Sequence, residues 1–272
     1  MTDYLELVQA AENHDGVAPL SEAFLRGLDG DYARFTVDGG LALAAPDGSV
    51  ELVVHPDFRR QGKAKELFRL IDANVNHPKL WAHGNLPAAQ ATAESLGLRP
   101  VRELLVMSIG ADQVSRGPVE LPEGFAALTY AQAVERFGRE NVEQAWLDVN
   151  NDAFDWHPEQ GGWDLARLRS AMDTDWFDPA GVWLLYKGEQ LAGFHWTKRH
   201  PGNVGEVYVI GLSSAHRGEG LGVPLLQLGL ESLLEGGSTQ VILYVEADNE
   251  PAVKRYSQAG FTIAESHVMY QN

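Results

Sequence analysis

Runs of apolar residues along the chain alternate with polar turns, and their spacing predicts the elements of the second half most clearly. Residues 125–129 (FAALT) read as a strand, and 142–154 and 163–172 as helices. Residues 182–186 and 191–198, joined by a turn at Lys187-Gly188, read as an antiparallel hairpin. A strand at 206–212 follows, then a helix over 221–234 with leucines at 225, 226, 230 and 233, and a strand at 241–245. In the first half the last strand is expected at 101–109.

Two stretches recur. Residues 50–64 (VELVVHPDFRRQGKA) align without a gap on 208–222 (YVIGLSSAHRGEGLG), each an apolar strand, a polar turn and a glycine-bearing helix entry. Residues 80–98 (LWAHGNLPAAQATAESLGL) align on 243–261 (LYVEADNEPAVKRYSQAGF), each a short strand, a turn, a helix and a terminal glycine. Two blocks in the same order imply duplicated domains. The polar segment around 110–121, punctuated by Pro118, suits a linker. The expectation is therefore an α/β chain with mixed sheets, split into domains 1–115 and 116–272.

Charge narrows the partners. With 21 Lys+Arg against 38 Asp+Glu, the formal charge is -17, which repels nucleic acid and anionic membranes. An anionic ligand must then be held locally, by backbone amides and a few cations. The chain has no cysteine and no stretch of about 18 apolar residues, so a cytoplasmic protein without disulfides is expected, working as a monomer on a small molecule. No His-x-x-x-His spacing accompanies His195 or His200, and no metal is expected.

The turn at 216–222 (HRGEGLG) lies between an apolar strand and an amphipathic helix, where glycines let backbone N–H groups close on a pyrophosphate. With its flanking strands it resembles the coenzyme A core of the GCN5-related N-acetyltransferases (GNAT), whose pattern is Arg/Gln-x-x-Gly-x-Gly/Ala; Arg217, Gly220 and Gly222 occupy those places. The resemblance implies two tandem domains of that fold and acetyl-CoA as donor. It places the donor on Ile210, Gly211 and Leu212 of the strand, on Arg217, Gly218, Glu219, Gly220, Leu221, Gly222 and Val223 of the turn, and on Asn249, Glu250, Pro251, Ala252, Val253 and Lys254 of the following helix. In the first copy the corresponding residues are Leu52, Val53 and Val54, then Arg60, Gln61, Gly62, Lys63, Ala64 and Lys65.

Acyl transfer to an amine needs a proton acceptor, a site for the oxyanion and a donor for the departing thiolate. Glu206 is the candidate base, Tyr256 the candidate acid, and the N–H near Ile210 or Gly211 the oxyanion donor. In the internal alignment Glu206 falls on Gly48 and Tyr256 on Ala93, so the first copy lacks both and is expected to be non-catalytic while still able to hold acetyl-CoA. Gly218 and Glu219 stand where a basic pair is more usual, thinning the positive charge of the turn.

Beyond this core the chain resembles the mycothiol synthase family, through ELVVHP at 51–56, WAHG at 81–84, VRELL at 101–105, HPEQGGW at 157–163, WFDP at 176–179, GFHWTK at 193–198, GEVYV at 205–209 and LYVE at 243–246. That resemblance implies acetylation of the cysteinyl amine of desacetylmycothiol, with Glu159, Lys198, Glu206 and Tyr244 lining the substrate site and Glu22 touching ligand in the first domain. Two other readings remain open from the residues alone: a tandem acetyltransferase for another small amine, and a non-catalytic acetyl-CoA sensor.

Overall fold

The computed structural model describes residues 4–28, 30–157 and 160–272. The chain enters through helices α1 (Tyr4–Asp15) and α2 (Glu22–Gly27), then strands β1 (Ala33–Val37), β2 (Gly40–Ala44) and β3 (Ser49–Val54). Helix α3 (Lys63–Asp72), strand β4 (Lys79–Ala82), helix α4 (Pro87–Leu96) and strand β5 (Arg99–Gly110) follow. The sequence pattern had not resolved α1, α2, β1 and β2. Asp38-Gly39 makes the β1–β2 hairpin, because Val37 pairs with Gly40 and the two-residue loop needs the positive φ of 70° that Gly39 supplies. Strand β2 is buried along its whole length, which explains its unbroken apolar run GLALA. On one side Leu67 and Ile71 of α3 pack with Ala42, Ala44 and Val50. On the other, Leu7, Val8 and Ala11 of α1 pack with Leu41, Leu43 and Val53.

The later elements are β6 (Phe125–Thr129), α5 (Tyr130–Phe137), α6 (Arg139–Ala153), α7 (Leu165–Met172), β7 (Val182–Lys187), β8 (Gln190–His200) and β9 (Val204–Leu212). Then come α8 (Gly222–Glu235), β10 (Gln240–Glu246), α9 (Glu250–Gln258) and β11 (Thr262–Gln271). Helix α7 begins at Leu165 rather than Trp163 because the Asp164 side chain caps it, accepting from Arg167 N–H. Lys187 pairs with Gln190, so the hairpin turns on Gly188-Glu189, one residue later than the pattern suggested. Trp146 of α6 meets Phe194 and Trp196 of β8, tilted and edge-on, at centroid distances of 5.7 and 5.1 Å, and Leu221 and Leu225 pack with Leu185 and Ala192.

The duplication is visible in matching backbone features. Short 3-10 turns occupy Pro56–Phe58 and Ser214–His216, and the glycines that end the two turns, Gly62 and Gly220, have φ of 81° and 79°. Leu98 N–H bonds Ala93 O and Phe261 N–H bonds Tyr256 O, both at 3.0 Å, after matching left-handed glycines. Among the described residues, two antiparallel pairings (β1–β2 and β2–β3) precede the parallel one of β3 with β4 in the first copy, and three (β6–β7, β7–β8 and β8–β9) precede that of β9 with β10 in the second.

A single cut at 115/116 does not reproduce the two compact units. The first comprises the chain up to Val106 together with Val245–Val253 and Ile263–Asn272; the second comprises Met107–Tyr244 and Lys254–Thr262. The last strand thus belongs to the first unit, where β11 pairs antiparallel with β4 (Met269 opposite Trp81) and buries Val268 and Tyr270 in that core. The end of β5 belongs to the second, where Ala111 N–H donates to Thr239 O at 2.9 Å.

Candidate functional site

Strands β8 and β9 position the chemistry of the second unit. Across their antiparallel ladder Lys198 lies opposite Glu206 and His200 opposite Val204, so these four side chains share one face. Glu206 is buried, at 5% exposure. Its carboxylate Oε2 is 2.5 Å from His200 Nε2, and the Lys198 ammonium sits over Trp176 at 5.1 Å and Tyr208 at 5.9 Å. Glu206 also pairs with Ile242 of β10, which puts the half-exposed Tyr244, two residues on, on the same face.

One irregularity shapes the strand beyond Glu206. Trp196 pairs with Val209 and Thr197 with Val207, leaving Tyr208 as an extra residue, a β-bulge that bends β9. The parallel ladder with β10 runs from Gln240–Val204 to Leu243–Val207 and ends there, while β9 continues through Ile210, Gly211 and Leu212. Gly211 is closely packed, since a Cβ would lie 3.1 Å from both Ala153 and Phe194, whose side chains would have to give.

After β9 the turn is fastened to the end of α6. Asp152 accepts from Ser214 N–H at 2.5 Å and Ser214 Oγ at 2.8 Å, and the backbone hydrogen bond holds its carboxyl below the usual range against some burial. Gly218 and Gly220 take φ of 85° and 79°, a region only glycine enters readily, and Cβ atoms there would meet nothing within 4 Å. Helix α8 then starts at Gly222 without a side-chain cap, so no capping side chain takes up its first N–H groups. The acidic residue of the turn is not a free negative charge: Glu219 lies 3.2 Å from Lys187 Nζ and 3.5 Å from His216 Nδ1, and the Lys187 hydrogen bond lowers its carboxyl pKa. A Cβ on Gly222 would lie 3.5 Å from Arg255 Nη1, so α9 runs beside the turn.

On α9, burial pushes the Tyr256 phenol up to about 12, and its ring meets Phe261 edge-on at 5.9 Å. Lys254 and Tyr256 belong to the second unit, whereas Asn249, Glu250, Pro251, Ala252 and Val253 are counted with the first. Asn249 Oδ1 accepts from Ala252 N–H at 3.3 Å and so starts α9.

In the first unit the matching turn is built differently. Arg59, at the place of Arg217, is taken up by a two-pronged pair with Asp15, both bonds 2.7 Å, and this holds the Asp15 carboxyl low. Arg60 stands at the place of Gly218 with φ of 61°. Gly62, like Leu221, leaves its helix without a side-chain cap, and Lys63 pairs with Glu66 at 3.4 Å. Leu52, Val53 and Val54 lie on β3, Gln61 on the exposed turn, and Ala64 and Lys65 in the first turn of α3. Glu22 is exposed in the first turn of α2, after Ser21, whose side chain caps that helix; Glu159 lies outside the described residues.

The two remaining β8 and β3 groups that caught no chemical role in the sequence have clear partners. His195 is fully buried with Nδ1 3.0 Å from Leu225 O, and burial pushes its pKa down to about 4, keeping it neutral. Gly229 of α8 faces this ring so closely that a Cβ would come within 2.0 Å of it. Replacing Gly229 by Ala should therefore cost about 1–3 kcal/mol in urea unfolding, and a cost near zero would show that the ring moves aside without penalty. Glu51, 3% exposed, accepts from Ser21 N–H at 2.7 Å and lies 2.9 Å from His83 Nε2. Among the described residues no group of three or more His, Cys, Asp or Glu is arranged to hold a metal, and no helix is long and apolar enough to cross a membrane.

Residues 144–261 match the acetyltransferase (GNAT) family model. A GCN5-related N-acetyltransferase from Sphaerobacter thermophilus superposes with a TM-score of 0.73 at 23% identity over 98% of this chain and 90% of its own. A tandem GNAT protein from the clavulanic acid biosynthesis pathway superposes with a TM-score of 0.67 at 16% identity, covering 99% and 93%. The fold is thus that of a tandem GNAT, and the protein is an N-acetyltransferase enzyme. The mycothiol acetyltransferase of Corynebacterium aurimucosum is 50% identical over 97% of this chain and 92% of that protein, and the one of Corynebacterium efficiens 48% identical over 94% and 88%. The chain belongs to the mycothiol acetyltransferase family.

Proposed function

We propose that the second copy transfers the acetyl group of acetyl-CoA to the cysteinyl amine of cysteinyl-glucosaminyl-inositol, completing mycothiol. The observation that carries this reading is the shared face of Lys198, Glu206 and Tyr244 beside the bulged end of β9. A buried carboxylate suits an ammonium, and a cation with an exposed phenol suits a ligand rich in hydroxyls.

Glu206 takes the proton from the ammonium, directly or through a water, and the amine attacks the thioester carbonyl. The backbone N–H near Ile210 or Gly211 receives the oxyanion, where a preoriented dipole acts on charge that develops only in the transition state. Tyr256, kept protonated across the neutral range, donates its hydroxyl proton to the departing thiolate and regains one from solvent. The pyrophosphate rests on the N–H groups from Gly218 to Val223, with Arg217 and the entry of α9 (Asn249 to Lys254) beside it. The first copy, with Gly48 and Ala93 in place of the base and acid, binds acetyl-CoA at most, through Leu52 to Val54 and Arg60 to Lys65. Glu22 and Glu159 are further substrate contacts in this reading.

The test incubates the protein with acetyl-CoA and synthetic cysteinyl-glucosaminyl-inositol and follows mass. A gain of one acetyl group on the cysteinyl nitrogen is expected. Turnover of simple polyamines or aminoglycosides with none of this substrate would overturn the substrate assignment, and acetyl-CoA binding without any acetyl transfer would overturn catalysis.

A further inference from the structure

We infer that His200 is a positioning residue for the base of the reaction, an inference that rests on the assignment of Glu206 above. Burying a carboxylate is costly unless something donates to it. Among the described residues the hydrogen bond to the Glu206 side chain comes from His200, whose Nε2 lies 2.5 Å from Oε2. The fold creates this contact through a sharp return. Strand β8 ends at His200, a 3-10 turn at Pro201–Asn203 carries Gly202 and Asn203 at positive φ, and β9 starts at Val204. His200 is then the diagonal neighbour of Glu206 across the ladder, near enough for an imidazole to reach a carboxylate.

The in-register neighbour does a different job. Lys198 lies directly across from Glu206, yet its ammonium is held over the rings of Trp176 and Tyr208. Besides Lys198, the titratable groups that the strands place on this face include, among the described residues, Tyr208 at the bulge and Tyr244 and Glu246 on β10. His200 therefore pins Oε2, which fixes the carboxylate plane and leaves Oε1 as the oxygen that meets the substrate ammonium. A base held in one orientation avoids the loss that a swinging carboxylate would suffer at the moment of proton transfer. His200 itself touches neither the thioester nor the reacting amine in this arrangement.

The experiment compares His200→Phe, His200→Gln and Glu206→Gln in the mass assay across pH, with acetyl-CoA and cysteinyl-glucosaminyl-inositol as probes and thermal melting to establish folding. The Phe variant loses the donor. Its kcat should fall about tenfold or more while KM for acetyl-CoA stays within about twofold. Gln places an amide N–H near the position of Nε2 and should restore most of kcat. A folded Phe variant with wild-type kcat overturns the role of His200, as does a Gln variant no better than Phe. If Glu206→Gln is inactive in that same series, the base assignment survives the failure; if Glu206→Gln turns over normally, both fall.

Discussion

Glu206→Gln should lower kcat/KM by about a hundredfold to ten-thousandfold, the usual contribution of a positioned base. The substitution keeps the shape of the side chain and a carbonyl oxygen able to accept a hydrogen bond from His200. What it removes is the capacity to take a proton, so melting should change little while turnover collapses. Burial of Glu206 sharpens the effect, because water cannot easily replace the lost base in a position that is 5% exposed. Tyr256→Phe should fall mainly in kcat and by less, since solvent can still protonate a released thiolate. Mass-detected initial rates for both variants, with melting curves alongside, check this. Wild-type rates in Glu206→Gln would remove the carboxylate from the mechanism and leave the family membership untouched.

The largest expected loss of stability lies elsewhere, in the α5–α6–α7 layer. Glu143 is fully buried and receives hydrogen bonds from Arg139 (2.6 Å), Arg169 (2.7 Å) and the Tyr130 hydroxyl (2.9 Å). Glu143→Ala should cost about 3 kcal/mol, because a buried phenol loses its acceptor and two arginines lose theirs at once. Arg139→Ala should shift unfolding far less, since Arg139 is well exposed and Glu143 keeps two donors. Burial raises the Glu143 carboxyl, but the arginine and tyrosine hydrogen bonds outweigh it, so its folded pKa lies below the ordinary 4.5. A depressed carboxyl stabilises the fold fully above that ordinary value and loses the contribution as pH falls through the folded value. The gap between wild type and Glu143→Ala in urea unfolding should therefore be constant near neutrality and close in acid. A gap below about 1 kcal/mol at pH 7 would show that the layer does not depend on this carboxylate.

Much of this molecule is local, and local features were legible. The repeat, the glycines of the turns, the leucine spacing of α8 and the β7–β8 hairpin, though not the exact residues of its turn, are each set within a dozen residues, because turn chemistry and periodicity act over that range. Glu206, Lys198 and Tyr244 were recognisable by resemblance, and the register of three strands puts them on one face. The hydrogen bond from His200 was not legible. It depends on a diagonal contact across a ladder and on two positive-φ residues in the return, neither of which leaves a spacing pattern. Glu219 misled for a related reason: its charge counts against anion binding in sequence, but Lys187, far away in the chain, takes it up.

The amino-acid sequence by itself determined that there are two copies of one strand-turn-helix plan and that Glu206 and Tyr256 stand in only one of them. The tertiary structure alone decided which strand completes which copy, since β5 and β11 both follow a left-handed glycine and either could satisfy the open edge of β4 as far as local pattern goes. That choice is made by long-range pairing, where the burial of Val268 and Tyr270 in the first core outweighs proximity along the chain.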